Sequence, residues 1–331
     1  MDFDFTDEQR EIKSTAREFL SSRFKPERVR ELAESDSPYG EEWDAICELG
    51  WPGIAISEEY GGEGLGTVEL IILQEELGYA LAPTPFIANA YAGAVIQAAG
   101  SDQQKQKWLP GIASGKERGS AELTCDPDPI LGAAGGASIL VLADGEGAKL
   151  VEPANATLEQ LDFIDTTRAY FRVKADGGDP LPGDIASAGS VGQIALAAEC
   201  VGVAQRALDM AVEYAKERQQ FGRPIGAYQA VSHRLADMLW EVEEARSLTY
   251  SAAWAADADP DLLPIAASMA KARASDAATS VTHHAIQVFG GIGFTWEHDV
   301  HFLLKRARAS AQMMGTPRAH RDNVATLVGL G

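Results

Sequence analysis

The sequence predicts a mainly α-helical protein with a small β domain in its middle. Apolar residues recur at helical spacing through the first hundred positions and again after Ala186. Between Gly119 and about Asp184 the apolar runs are short, and glycine, proline and aspartate separate them, which is the pattern of strands and tight turns. These shifts divide the 331 residues into 1–118, 119–185 and 186–331, a length that suits two or three domains around a large apolar core.

Each element has its own signal. Thr6 and Gln9 form a capping-box pattern, with Asp7 and Glu8 in the first turn and Ile12, Ala16, Phe19 and Leu20 on one face. Glu41 to Leu49 is a short amphipathic stretch, and the glycines from Gly61 to Gly66 predict a flexible loop. Helices are predicted over 68–80, 88–99 and 102–112. In the middle, Ser138–Leu142, Lys149–Val151 and Tyr170–Val173 read as strands, with room for about five strands of average length. Val191 to Arg218 is a long helix. Val231, Leu235, Met238, Val242, Ala245, Thr249 and Ala252 alternate by four and three, the seam of a bundle helix. Pro264 suits the start of another helix, Gly290-Gly291 its stop, and further helices begin near Val300 and Thr316.

Charge and composition exclude several classes. With 28 basic and 49 acidic residues the net charge is −21, which repels nucleic acid and anionic membranes. No run of about 18 apolar residues marks a membrane span, and the acidic start lacks the pattern of a signal peptide, so a cytoplasmic protein is expected. Cys47, Cys125 and Cys200 show neither metal-ligand nor disulfide spacing and read as buried thiols. His283 and His284 are adjacent, point to different faces of a helix and lack a third ligand.

Two bundle segments carry chemistry. In Glu217–Ile225, Arg218 beside Phe221 and Gly222 can fork onto a phosphate, or can serve as an ordinary helix end where a cation offsets the dipole. In Gln287–Gly293 the glycines permit close backbone approach to a ligand, or simply end the helix; the segment follows a helix, so it is not a dinucleotide-binding loop. No nucleophile elbow and no acid/base carboxylate pair is visible.

Taken in order, the segments resemble the acyl-CoA dehydrogenase family over nearly the whole chain. The matching stretches are Met1–Arg10, Gly50–Gly62, Glu75–Pro83, Arg218–Gly222 with Gln229–Val231, and Gln287–Thr295. The resemblance implies an N-terminal helical domain, a middle β domain and a C-terminal four-helix bundle, FAD as cofactor, and an electron-transfer flavoprotein as electron acceptor. It implies α,β-dehydrogenation of an acyl-CoA, in which a glutamate takes the α-proton and the β-hydrogen leaves as hydride. The family's FAD sites are shared between subunits. Arg218, Phe221, Gln287 and Gly291 match the residues that reach the pyrophosphate and adenosine of a neighbour's FAD.

The chain also departs from the family. Met314, within Met313-Met314-Gly315-Thr316, stands where the family's usual catalytic glutamate lies, and Gly192 stands at about the alternative base position. Leu123–Pro127 resembles a remnant of one flavin-binding stretch, the second is absent, and the middle region is short for a complete barrel. These departures lead to an expected heteromer, α2β2, with a full-length homologue supplying the base, the barrel and the acyl-CoA pocket. The substrate expected from the resemblance is a bulky thioester such as a steroid side-chain CoA. Two other readings stand beside it: a self-sufficient homo-oligomer with a relocated base such as Glu199 or Glu297, and a non-enzymatic assembly subunit.

Overall fold

The structure, a computed structural model, describes residues 4–35, 39–124, 126 and 128–330. Met1 to Phe3 of the opening motif, Cys125 and Pro127 therefore lie outside the described residues. The N-terminal helices are α1 (Asp7–Arg23), α2 (Pro26–Ala33), α3 (Glu41–Glu48), α4 (Thr67–Tyr79), α5 (Phe86–Ala99) and α6 (Asp102–Ala113). Thr6 and Gln9 form the full reciprocal capping box, and Ser101 and Gln104 repeat it at α6. α2 has no counterpart in the sequence reading: it offers only Val29 and Leu32 as buried positions, no side chain caps its start, and Pro26 in its first turn is its main local cue.

The glycine-rich stretch differs from expectation. It is tied down rather than flexible, because Glu63, Gly64 and Leu65 donate their backbone N–H groups to Gly53, Ile56 and Ile54. A Cβ on Gly62 would lie 2.1 Å from the Ile56 carbonyl oxygen, so glycine here permits backbone contact.

The middle region holds two small sheets. Strands β1 (Gly119–Glu122), β3 (Ile139–Asp144), β4 (Gly147–Val151) and β7 (Asp179–Pro180) make one, in the order β1-β3-β4-β7, with β1 and β3 parallel. β2 (Ile130–Gly132), β6 (Tyr170–Ala175) and β5 (Ala156–Leu161) make the other, antiparallel throughout. Leu131, Leu140, Leu142, Val151 and Val173 pack between them. Two- and three-residue strands such as β7 and β2 carry no period-2 signal, so the reading of about five strands fell short.

The C-terminal bundle consists of α7 (Ala186–Glu217), α8 (Gln229–Ala258), α9 (Leu263–Phe289), α10 (Val300–Gln312) and α11 (Pro317–Leu327). A tight hairpin of β8 (Gln219–Gln220) and β9 (Arg223–Pro224) joins α7 to α8. Met238, Val242, Ala245, Thr249 and Ala252 of the expected seam are all buried. α7 is long and apolar enough to cross a membrane by length and composition, but two-thirds of that window (67%) is buried by the surrounding helices.

The N-terminal helices and the bundle share one core, which runs from Leu20 through Ile71, Val203, Val242 and Val281 to Phe302. α4 and α7 touch almost backbone to backbone: a Cβ on Gly202 would lie 2.0 Å from the Glu75 carbonyl oxygen, and one on Gly78 would lie 2.4 Å from that of Glu199. The carboxylates beside this crossing act as clamps. Glu75 accepts from Lys13 at 3.0 Å, Arg246 at 3.2 Å and the Tyr250 hydroxyl at 2.8 Å, and Glu76 accepts from Arg17. Their place in a motif thus has a packing reason.

Candidate functional site

α7 and α9 end at the same end of the bundle. Tyr214, one turn before Arg218, stacks against Phe289, the last residue of α9, with ring centroids 4.4 Å apart. This contact sets the hairpin at 219–224 and the turn at 290–294 on adjacent roots. Gln220-Phe221-Gly222-Arg223 is a two-residue hairpin with positive φ at both central positions, Phe221 at 52° and Gly222 at 81°. A left-handed non-glycine residue costs about 1–2 kcal/mol. The hairpin is held by the Tyr228 hydroxyl donating to the Gln220 carbonyl at 3.0 Å and by the Arg223 guanidinium 4.0 Å over the Tyr228 ring.

The side chains at this end are open. Arg218 caps α7 through its backbone N–H to Tyr214, yet its exposed guanidinium has no carboxylate partner among the described residues. The backbone of Arg218 thus ends the helix as one of its two readings expects, and its side chain is left open to solvent. Phe221 is 94% exposed. Gln287 is exposed on the last turn of α9.

The glycines divide by cause. Gly290 takes φ 66° to end the helix, and a Cβ on Gly293 would meet Phe289 at 2.8 Å. Gly291 has neither reason: a Cβ there would meet nothing within 4 Å. Nothing inside this chain requires a glycine at 291, whereas a ligand lying against the turn would. The residues thus fit the pyrophosphate and adenosine end of FAD: a free cation, an exposed aromatic and amide, and an open backbone. α8 adds an N-terminus without a side-chain cap at the same end.

His284 is tied here too, within 2.9 Å of the Arg234 guanidinium, and burial followed by that arginine pushes its imidazole pKa down. No group of three or more potential metal ligands occurs among the described residues.

The other half of the expected chemistry is closed. Met313 and Met314 pack on Ile87, Ala195 and Leu196. The turn carrying them has φ 53° at Met314 and 95° at Gly315. It is clamped by Lys271, whose ammonium donates to the carbonyls of Ser310 and Gly315, both at 3.2 Å, and by His320 bonded to the Met314 carbonyl at 2.9 Å. Burial lowers the Lys271 ammonium to about 8. At Gly192 a Cβ would lie 2.4 Å from the buried ring of Tyr91, so any side chain there must displace that ring. Neither position offers a proton acceptor.

Beneath this region lies an ionic network that periodicity and motif could not show. Arg306 donates to Asp165 at 2.7 Å and lies 3.5 Å from Glu199, and Glu199 also pairs with Arg168 and accepts from Ser310 at 2.8 Å and Gln74 at 3.1 Å. Burial alone would raise the Asp165 carboxyl, but Arg306 and Arg168 hold it below its ordinary value. Glu199 is therefore a fully engaged structural carboxylate rather than a free base. Glu297 is exposed on the turn after Phe294. Glu122 is a buried carboxyl pushed up by desolvation and capped by the Thr124 backbone N–H at 2.9 Å. Its burial was invisible because β1 is only four residues long and buried on both faces. Cys200 is buried and its thiol pKa is pushed up by desolvation; Cys47 is partly buried.

Family models for the acyl-CoA dehydrogenase N-terminal and C-terminal domains match residues 6–116 and 185–328. The chain belongs to the acyl-CoA dehydrogenase family. It is 36% identical to acyl-CoA dehydrogenase IpdE2 of Mycobacterium tuberculosis over 315 residues, covering 94% of each protein. Against YngJ of Bacillus subtilis it is 30% identical, covering 97% and 98%. That second match extends over 379 positions against 331 residues here, so at least 48 have no counterpart in this chain. Among solved structures, the Tcur3481-Tcur3483 steroid ACAD superimposes with a TM-score of 0.89 at 28% identity, covering 97% of this chain and 98% of that one.

Proposed function

We propose that this chain is the non-catalytic subunit of a heteromeric, FAD-dependent acyl-CoA dehydrogenase, probed most directly by what each of its two regions can still do. The carrying observation is the contrast between them. Arg218, Phe221, Gln287 and Gly291 stand exposed on one bundle end, while the two family base positions hold a thioether and a glycine blocked by Tyr91. In the assembled enzyme Arg218 neutralises pyrophosphate charge, Gln287 hydrogen-bonds beside it, and Gly291 admits the ligand against the turn. Phe221, with Trp240 (75% exposed) and Phe294 (81% exposed), presents aromatic surface of the kind that protein interfaces bury. FAD, when bound, accepts the hydride of the dehydrogenation.

The partner is a full-length homologue that carries the catalytic glutamate, the barrel and the acyl-CoA pocket, in an α2β2 cytoplasmic enzyme that passes electrons to an electron-transfer flavoprotein. A steroid side-chain CoA thioester is the substrate class. The paired name of the Tcur3481-Tcur3483 steroid ACAD supports both the partner and the substrate. The near-complete mutual coverage with IpdE2 supports a short subunit of this length.

Expression of the chain alone and together with a full-length homologue, followed by measurement of bound flavin and turnover, tests this reading. Flavin and activity should appear only on co-expression. A yellow, active preparation of the chain alone would instead favour the self-sufficient homo-oligomer, and a stable complex without any flavin contact from Arg218 would favour a purely structural subunit. Met314→Ala in the complex should leave proton abstraction intact.

A further inference from the structure

A groove of about 160 Å³ is walled by the end of α1, the start of α2, the end of α4, the middle of α7 and the start of α10. None of Arg218, Phe221, Gln287, Gly291 or Met314 lines it. Its floor is apolar, formed by Leu20, Phe24, Val29, Met210 and Leu303. Its polar groups are concentrated around Tyr79, whose ring carries the Arg17 guanidinium at 3.6 Å and the Arg206 guanidinium at 5.3 Å.

The charges lining the groove do not balance. Arg17 is matched by the buried carboxylate of Glu76, and Asp299 by Arg30. The exposed Lys25 and the half-buried Arg206, which hydrogen-bonds the Tyr79 hydroxyl, also line the groove, and neither has a carboxylate within ion-pair distance among the described residues. Lys25 and Arg206 thus leave positive charge beside an apolar hollow, in a chain whose net charge is −21. The size sets the ligand: an apolar cavity of about 150 Å³ admits benzene, so this hollow suits an apolar body of roughly six to eight carbons.

We propose that this groove is a second small-molecule site, which binds a short-chain amphipathic carboxylate with its carboxylate on Lys25 and Arg206 and its apolar body on Leu20, Phe24 and Leu303. The site joins the N-terminal helices to the bundle, and Asp299 and Phe302 in its wall lie just beyond the 290–294 turn. It is independent of the FAD reading, because it needs neither flavin nor partner.

Calorimetric titration of octanoate into the full chain, and into the complex with its partner, tests the site. Saturable binding with one octanoate per chain is expected in both. The double variant Lys25→Ala/Arg206→Ala should weaken it at least tenfold, and 1-octanol should bind far more weakly than octanoate to the parent. Met210→Trp should abolish binding by filling the floor, with circular dichroism confirming that each variant is folded. Absence of saturable binding would overturn the proposal. So would undiminished affinity in the folded double variant, equal binding of 1-octanol, or binding by the free chain that the complex lacks.

Discussion

The exposed end of the bundle and the partly buried turn at Met314, with the ionic network beneath it, belong to one chain but obey opposite rules. At the bundle end, the Arg218 guanidinium has no carboxylate partner among the described residues, Phe221 is held in a left-handed conformation at 94% exposure, and a Cβ on Gly291 would meet no described atom within 4 Å. Around Met314, by contrast, most groups are engaged within the chain: Lys271 and His320 hold the turn, Tyr91 fills the space over Gly192, and Arg306 and Arg168 compensate Asp165 and Glu199, while the Arg168 Nε and Nη1 keep no partner among the described residues. Groups left open on a surface can meet a ligand. Groups engaged with one another in a dry interior cannot do so without first losing their own partners. On the proposed reading, the comparison teaches that a family fold can keep one part of a shared site while another becomes packing.

Breaking the closed region should have the largest effect. Arg306→Met leaves Asp165 and Glu199 short of their cation, and removal of one partner from a buried ionic network costs about 3–5 kcal/mol. Urea denaturation should show that loss, and a variant as stable as the parent would mean the network contributes no net pairing. Next comes Gly192→Arg, which must displace the Tyr91 ring and should cost about 1–3 kcal/mol by overpacking. Unchanged stability there would show that the second base position is open after all.

The open end should behave in the reverse manner. Arg218→Ala should leave the stability of the isolated chain within about 0.5 kcal/mol, as for other surface substitutions, while the co-expressed complex loses flavin on dilution. Equal flavin retention by parent and variant would remove Arg218 from the site.

A last effect, confined to acid pH, concerns stability beside the 290–294 turn. His301 is buried, stacks on Trp296 at 4.7 Å, and both its ring nitrogens lack hydrogen-bond partners. Burial, then Lys305 and Arg30, pushes its imidazole from 6.5 down to about 4. Because the folded value lies below the unfolded one, the unfolded chain takes up the proton first, and the stability present above pH 6.5 is lost as pH falls toward 4. His301→Gln should flatten the stability curve across that window. Parallel curves would assign the acid sensitivity to other groups.

Much of the fold was legible because its signals are local. The Thr6–Gln9 box, the four-and-three seam from Val231 to Ala252 and the Gly290 stop each encode structure within a few turns, and the structure places helices at all three. α2 and the shortest strands were not legible, since α2 offers only Val29 and Leu32 as buried positions and strands of two or three residues hold too few alternations to register. The exposed residues of the bundle end could be named from the motifs in which they occur. The ionic network could not, because Asp165, Arg168, Glu199 and Arg306 come from three separated segments and nothing local marks a carboxylate as buried.

By itself the sequence determined the helical character of both ends, the residue types at Met314 and Gly192, and the presence of Arg218 and Gln287. Those are matters of local period and side-chain chemistry: a thioether is not a base in any fold. Only the tertiary structure decided that Gly192 faces a ring, that Glu199 is paired rather than free, and that Gly291 is open. Each of these depends on which distant segment packs against the residue, and packing is settled when the whole core closes.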